Sequence, residues 1–448
     1  MDTSLLKQKC TMQTKIQYYS NRLGISENEL LYELRGYYKP SFFYIYLEGD
    51  FSDDVGNLSI KDRGTFVHEY IHYIQNIATY WGLYCSIVRY QELVELKSHL
   101  IASENIEIPL NIEYSDSLKN KNEWVKLGNG TSFFTESKSW NIDTTQIISI
   151  DKKSINSNGQ EIYIVDLTVI FEDKRVDLIN LGAHIIKESM AAMYQSLVDI
   201  DAKHDDIPYN LVTILCMQHF PTIYSDIEKL ICICYTSLFS MSPGFELISL
   251  LEIASNDMDF DGTDIFTNFV NAKTITTSKK EKYNIVDYFD VLIAGFKISL
   301  ETNLQAELDY INDVLERIRL SNRGIPFLSI LYHEDKLSIE NLNALVGYFG
   351  IPYIQTLQSG YHFPKSTKNG AKEDDSSIDV LELVAQEAMF SYLIKPRRDK
   401  ICPLYYMCSD SQYSKDECFG APWKEPMCSF TIVSSPFSFD KKNIIWKF

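Results

Sequence analysis

Two histidines and a glutamate crowd together early in the chain, in Gly64-Thr65-Phe66-Val67-His68-Glu69-Tyr70-Ile71-His72-Tyr73-Ile74-Gln75-Asn76. The spacing has a physical meaning. Residues four apart lie on one face of an α-helix, so the imidazoles of His68 and His72 can reach the same cation. Zinc accepts histidine nitrogens at about 2.0–2.1 Å and favours four-coordinate geometry. Glu69 follows the first histidine and projects beside such a metal rather than onto it. There it can accept a proton from a zinc-bound water.

The surrounding residues predict the helix that this chemistry needs. Val67, Tyr70, Ile71, Ile74, Ile77, Ala78 and Trp81 recur at helical spacing and form an apolar face over residues 62–80. His68, His72, Gln75 and Thr79 fall on a polar stripe opposite it. Asp62 is placed to cap the start, and Gly82 stands where the helix should stop. Upstream, Ser41 to Glu48 (SFFYIYLE) is aromatic and β-branched and reads as a strand.

The segment Phe66–Gln75 with its preceding strand resembles the zinc metallopeptidases that carry His-Glu-x-x-His, the zincins. The resemblance covers a minority of the chain, from about Phe42 to Gly82 and one short later segment. It implies a strand at the edge of a cleft before the metal helix, a role for Ser41–Glu48. The extended metzincin pattern is absent, because Gln75 stands where that pattern has glycine and Ala78 where it has a third histidine.

Within the zincins, the gluzincins take their third protein ligand from a glutamate on a later helix, and two residues here fit. Glu188 lies in Asn180-Leu181-Gly182-Ala183-His184-Ile185-Ile186-Lys187-Glu188-Ser189-Met190-Ala191, predicted helical with Asn180 as cap. His184, Glu188, Ala191 and Gln195 share a stripe, and the small Ala191 permits close approach to another helix. His184, one turn before Glu188, is placed to orient it or to stabilise an oxyanion. Glu92 stands at the spacing of thermolysin-like enzymes, but Leu96 occupies the position of their aspartate. The expected ligand set is therefore His68, His72 and Glu188, with Glu92 as the alternative and Glu69 as catalytic base. No one of the 29 tyrosines stands out as an oxyanion donor. His99, His204, His219, His333 and His362 lack a companion at ligand spacing and read as structural or exposed.

The rest of the chain sets the frame. Its 448 residues exceed one ordinary hydrophobic core, and 45% apolar content supplies several packed subregions. The net charge of −19 opposes binding to nucleic acid or anionic membrane. No leader-like apolar segment follows Met1, and the longest apolar stretch, Leu230 to Phe239, is too short to span a bilayer. A cytoplasmic protein is expected.

The expected fold class is α+β: a zincin-like metal-binding helical core, a small β-rich insertion and a mostly α-helical C-terminal region. Residues 1–104 hold the strand and metal helix, after a helical start. Residues 105–178 alternate like strands, with turn signals at Gly128-Asn129-Gly130 and Asn158-Gly159, and read as a β-meander inserted at the surface. Residues 179–365 read as helices and carry Glu188. Residues 366–448 combine an acidic linker, a helix and a cysteine-rich tail.

The nine cysteines of a leaderless chain favour free thiols. Cys402, Cys408, Cys418 and Cys428 are numerous enough for a second, structural zinc, although no CxxC pair exists to anchor it. The functional expectation is a zinc-dependent metallopeptidase acting on a specific protein or peptide substrate. The large helical region then serves recognition, or docks a regulatory protein partner. Two other readings share the same residues: a catalytically silent scaffold of zincin fold, and a zinc hydrolase of a non-peptide bond.

Overall fold

The computed structural model describes residues 36–39, 44–49, 51–131, 145–157, 160–256, 261–276, 281–303, 315–316, 337–356, 360–362, 389–390, 392–394, 402, 421–424 and 429–447. The protein is a mixed α and β structure in which helix predominates and the sheets are small. No described helix is long and apolar enough to cross a membrane.

The metal-motif helix α1 spans Ile60–Ala78. Its cap is Ser59 rather than Asp62. The Ser59 hydroxyl accepts from the Asp62 amide at 3.1 Å and donates to the Asp62 carboxylate at 2.7 Å. The Asp62 carboxylate thus holds the capping hydroxyl from inside the first turn, where its charge also suits the helix dipole. Such a cap contributes about 0.5–2 kcal/mol. On the far side, Tyr70 and Tyr73 donate from their hydroxyls to the carbonyls of Gly350 at 2.7 Å and Phe349 at 3.1 Å. Those carbonyls lie at the end of helix α10, Ile339–Phe349, so the apolar back of α1 is fastened to a segment far away in sequence.

Helix α1 stops at Ala78, and α2 (Tyr80–Ala102) begins at once. Thr79 is extended at φ −117° and serves both ends. It accepts from the Gly82 amide at 3.1 Å as the cap of α2, and donates to the Gln75 carbonyl at 2.5 Å in α1. Gly82 therefore does not end a helix as expected. It lies in the first turn of α2, where a Cβ would collide with the backbone carbonyls of Gln75 and Asn76. The tight elbow, not termination, requires glycine there.

Upstream, strands β1 (Gly36–Lys39) and β2 (Tyr44–Leu47) form an antiparallel pair. The expected strand exists, and it lies inside its sheet. Strand β2 lies between β1 and β9 (Tyr353–Thr356) in the order β1-β2-β9-β10, with β10 at Gly360–His362. Its pairing with β9 is parallel, Tyr44 opposite Tyr353 through Leu47 opposite Thr356. Both edges of β2 are thereby occupied, so no extended substrate can add to it.

After β3 (Asn105–Ile108) comes a helix that the reading of residues 105–178 missed, α3 at Asp116–Asn129, capped by Ser115. The meander follows: β4 (Gln146–Ser157), β5 (Gln160–Ile170) and β6 (Val176–Leu181), antiparallel in sequence order. Strand β6 runs through Asn180, which therefore does not cap the next helix. Gly182 does, without a side-chain bond, and α4 occupies Ala183–Val198. Helices α5 (Leu211–His219), α6 (Ile227–Ser237), α7 (Pro243–Asn256), α8 (Gly262–Ala272) and α9 (Ile285–Asn303) complete the main helical body, with an antiparallel pair, β7 (Thr274–Thr276) and β8 (Lys282–Asn284), between the last two. Strand β11 (Asn443–Trp446) pairs in parallel with β3. The expected helix at the chain start falls almost wholly outside the described residues. Of the four C-terminal cysteines, only Cys402 is described, and it is buried.

The junction between β6 and α4 is crossed at close quarters. The start of α7 lies so near it that a methyl group on Gly244 would overlap the carbonyl of Leu181. Gly244→Ala must push α7 or the junction aside. Overpacking of this kind costs about 1–3 kcal/mol, and thermal denaturation should show a lowered Tm with the fold retained.

Candidate metal centre

Helices α1 and α4 form the most extensive helix–helix contact among the described residues. Small residues allow it: Ala191 on α4 is fully buried, and a Cβ on Gly64 of α1 would overlap Asp199 just beyond α4. Across this interface three side chains meet. His68 Nε2 lies 3.4 Å from Glu188 Oε2, and His72 Nε2 lies 3.3 Å from the same oxygen. Their ligand atoms all fall within 4.8 Å of one another, the one such group among the described residues.

These separations fit a shared cation. In a tetrahedral site with bonds of about 2.0–2.1 Å, neighbouring donors stand about 3.3 Å apart. Two neutral imidazoles and one carboxylate are also a donor set that zinc accepts, as other first-row divalent ions do. Charge points the same way. Glu69 and Glu188 are two carboxylates in one enclosed site, with His68, Glu69 and His72 each only 7% exposed. Uncompensated charge of this kind costs several kcal/mol per ion, and a divalent cation offsets it.

The ionisation of each group follows from its neighbours. Burial raises Glu69 above the usual carboxylate range, and Glu188 adds to the rise, although His68 and His72 pull against it. Burial would raise Glu188 as well. The two imidazoles outweigh it and hold Glu188 well below that range. His72 is opposed by burial, yet the Glu188 carboxylate raises it above an ordinary imidazole.

The orientation of His72 has a clear cause. Its Nδ1 lies 2.9 Å from Gln75 Oε1, and the Gln75 amide in turn donates to the Lys187 carbonyl at 3.1 Å, next to Glu188. An Nδ1–H held by Gln75 leaves the Nε2 lone pair aimed at the site. His184 is a third exposed, with Nδ1 3.9 Å from Glu188 Oε1, beyond hydrogen-bond reach. Burial lowers its pKa.

Glu92 is elsewhere. On α2 it pairs with Arg89 at 2.8 Å and accepts from Asn122 of α3 at 2.7 Å. It braces two helices and takes no part in the cluster.

Two residues set aside in the sequence belong to the site's surroundings. The His204 ring stacks on His68 at 5.7 Å between centroids, and Tyr209 lies 5.9 Å from it. Both sit between α4 and α5, around a helical turn at Asp206–Asn210. Nothing in the spacing signals them, because they approach only when that connection folds back over α1.

No family model matches the chain, and neither a characterised protein nor a solved structure matches it. The local geometry alone carries the reading.

Glu188→Gln should abolish tight binding of a divalent ion, whereas Glu92→Gln should leave it intact, as metal analysis after dialysis would show. Protons compete for the same imidazoles. Because Glu188 raises His72, that competition should begin above the ordinary imidazole pKa of 6.5 and strengthen as pH falls. Chelator competition across that range should record weakening affinity.

Proposed function

We propose that the chain is a zinc-dependent metallopeptidase of zincin-like type that cleaves a protein or peptide substrate. The observation that carries this reading is the convergence of His68 Nε2 and His72 Nε2 on Glu188 Oε2, with buried Glu69 on the same turn as the histidines. His68, His72 and Glu188 would hold the ion, which supplies Lewis acidity toward a carbonyl and toward water.

The chain's own residues do the remaining work. Glu69 receives a proton from the attacking water and returns it to the leaving amine nitrogen. Its raised pKa makes it a better proton acceptor than an ordinary carboxylate, while it stays acidic enough to return the proton to an amine. Glu188, held ionised by the two imidazoles, contributes its charge to the ion and leaves proton transfer to Glu69. Gln75 keeps the His72 ring in the ligating orientation. The enclosed site also limits bulk water, which strengthens each of these electrostatic interactions. With both edges of β2 paired, a substrate segment would not be held by extending the sheet from that strand.

The test is a peptide library incubated with the purified chain, with chelator and then with zinc restored. Cleavage should cease with chelator and return with zinc. Glu69→Gln should retain the metal and lose about 10²–10⁴-fold in turnover, the usual contribution of a general base. Full activity in that variant, or cleavage indifferent to chelator, would refute the reading.

A further inference from the structure

We infer that His204 and Tyr209 are positioning residues for His68, setting the plane of its imidazole by ring stacking where a hydrogen bond ordinarily does so. This rests on the reading of His68, His72 and Glu188 as a metal centre.

The two histidines are held asymmetrically. His72 is held by Gln75 through its Nδ1. The Nδ1 of His68 is buried and has no hydrogen-bond partner among the described residues. A ligating histidine almost always gives its second ring nitrogen to a carboxylate, a carbonyl or water, and that bond stops the ring from turning about χ2. His68 lacks that restraint from the described residues.

Rings stand in its place. His204 lies nearly parallel to His68, with 5.7 Å between centroids and 28° between planes. Tyr209 approaches at 5.9 Å and 56°, and the two outer rings contact each other at 4.7 Å and 32°. The three form a mutual cluster within the range at which aromatic pairs hold a preferred geometry. Rotation of His68 would break both of its contacts.

The outer rings are themselves braced. The Asn210 side-chain amide donates to the carbonyls of His204 at 3.0 Å and Asp205 at 3.2 Å, closing the turn that bears both rings. Ser189, next to Glu188 on α4, donates to the Pro208 carbonyl at 2.8 Å. Thr145, ahead of β4, donates to the buried carboxylate of Asp206. The connection is thus tied to itself, to the ligand helix and to the meander. The ties lie at the residues that flank the rings, which is the arrangement needed to hold them still.

The test uses the full chain with Co²⁺ as a spectroscopic probe and Zn²⁺ affinity from chelator competition. His204→Ala and Tyr209→Ala should weaken Zn²⁺ binding about 10- to 100-fold, the range for lost ligand-orienting contacts. They should also change the visible Co²⁺ bands. His204→Phe and Tyr209→Phe keep a ring and remove the polar atoms, and should retain wild-type affinity and spectrum. His204→Leu preserves bulk without a ring and serves where the alanine variant fails to fold; it should behave as a loss.

Wild-type affinity and spectrum in the folded ring-less variants would overturn the inference. So would losses in the phenylalanine variants equal to those in alanine, since the polar atoms would then be responsible. In either case a wild-type chain that binds Co²⁺ and Zn²⁺ leaves the metal centre itself standing. A wild-type chain that binds neither overturns both.

Discussion

The structure turns on bringing two imidazoles and one carboxylate together inside the α1–α4 interface. Each group alone is costly to bury. Together they are complementary, and Glu188 is kept ionised by the histidines it faces. Much else in the fold serves that meeting. The Ser59–Asp62 cap sets where α1 begins, and the tyrosine hydroxyls on its back fix its rotation against the end of α10. Gly244 lets α7 cross the start of α4 without displacing it. A helix turned by even one residue, 100° of rotation, would take a ligand out of the cluster.

The two histidines come from one helix turn but are held by different means. His72 depends on a polar relay, Gln75 to the Lys187 carbonyl, that joins α1 to α4 beside Glu188. His68 depends on rings from the connection after α4. The polar relay is sensitive to exchange of a single amide, whereas the ring cluster tolerates chemical change if shape is kept. Glu69 lies between these supports, with its charge modulated by both histidines and by Glu188.

The local pattern of Phe66–Gln75 was enough to read the helix, the facing histidines and Glu69 beside them, because helical periodicity is short-range. Glu188 was also legible: its polar stripe with His184 lies on a helix whose other face is buried. The edges of elements were less so. Asn180 has the chemistry of a cap, yet it serves β6 because the strand's pairing with β5 through Leu181 outweighs it. Helix α3 was hidden under turn signals, since Gly130 at φ 73° ends a helix rather than a hairpin. The position of β2 inside its sheet depends on β9, some 300 residues later, and no local signal reports a parallel partner. The approach of His204 and Tyr209 to His68 was invisible for the same reason.

The elbow at Thr79 has a consequence for how displacement travels through the molecule. One hydroxyl receives the first turn of α2 and grips the Gln75 carbonyl of α1, leaving no linker between the two rods. Gln75 is also the residue that steers His72. A bracket without slack cannot absorb a shift of its outer arm, so tilting α2 must load the very peptide whose side chain aims that imidazole. The long second helix, remote from the chemistry, is mechanically a lever seated against it.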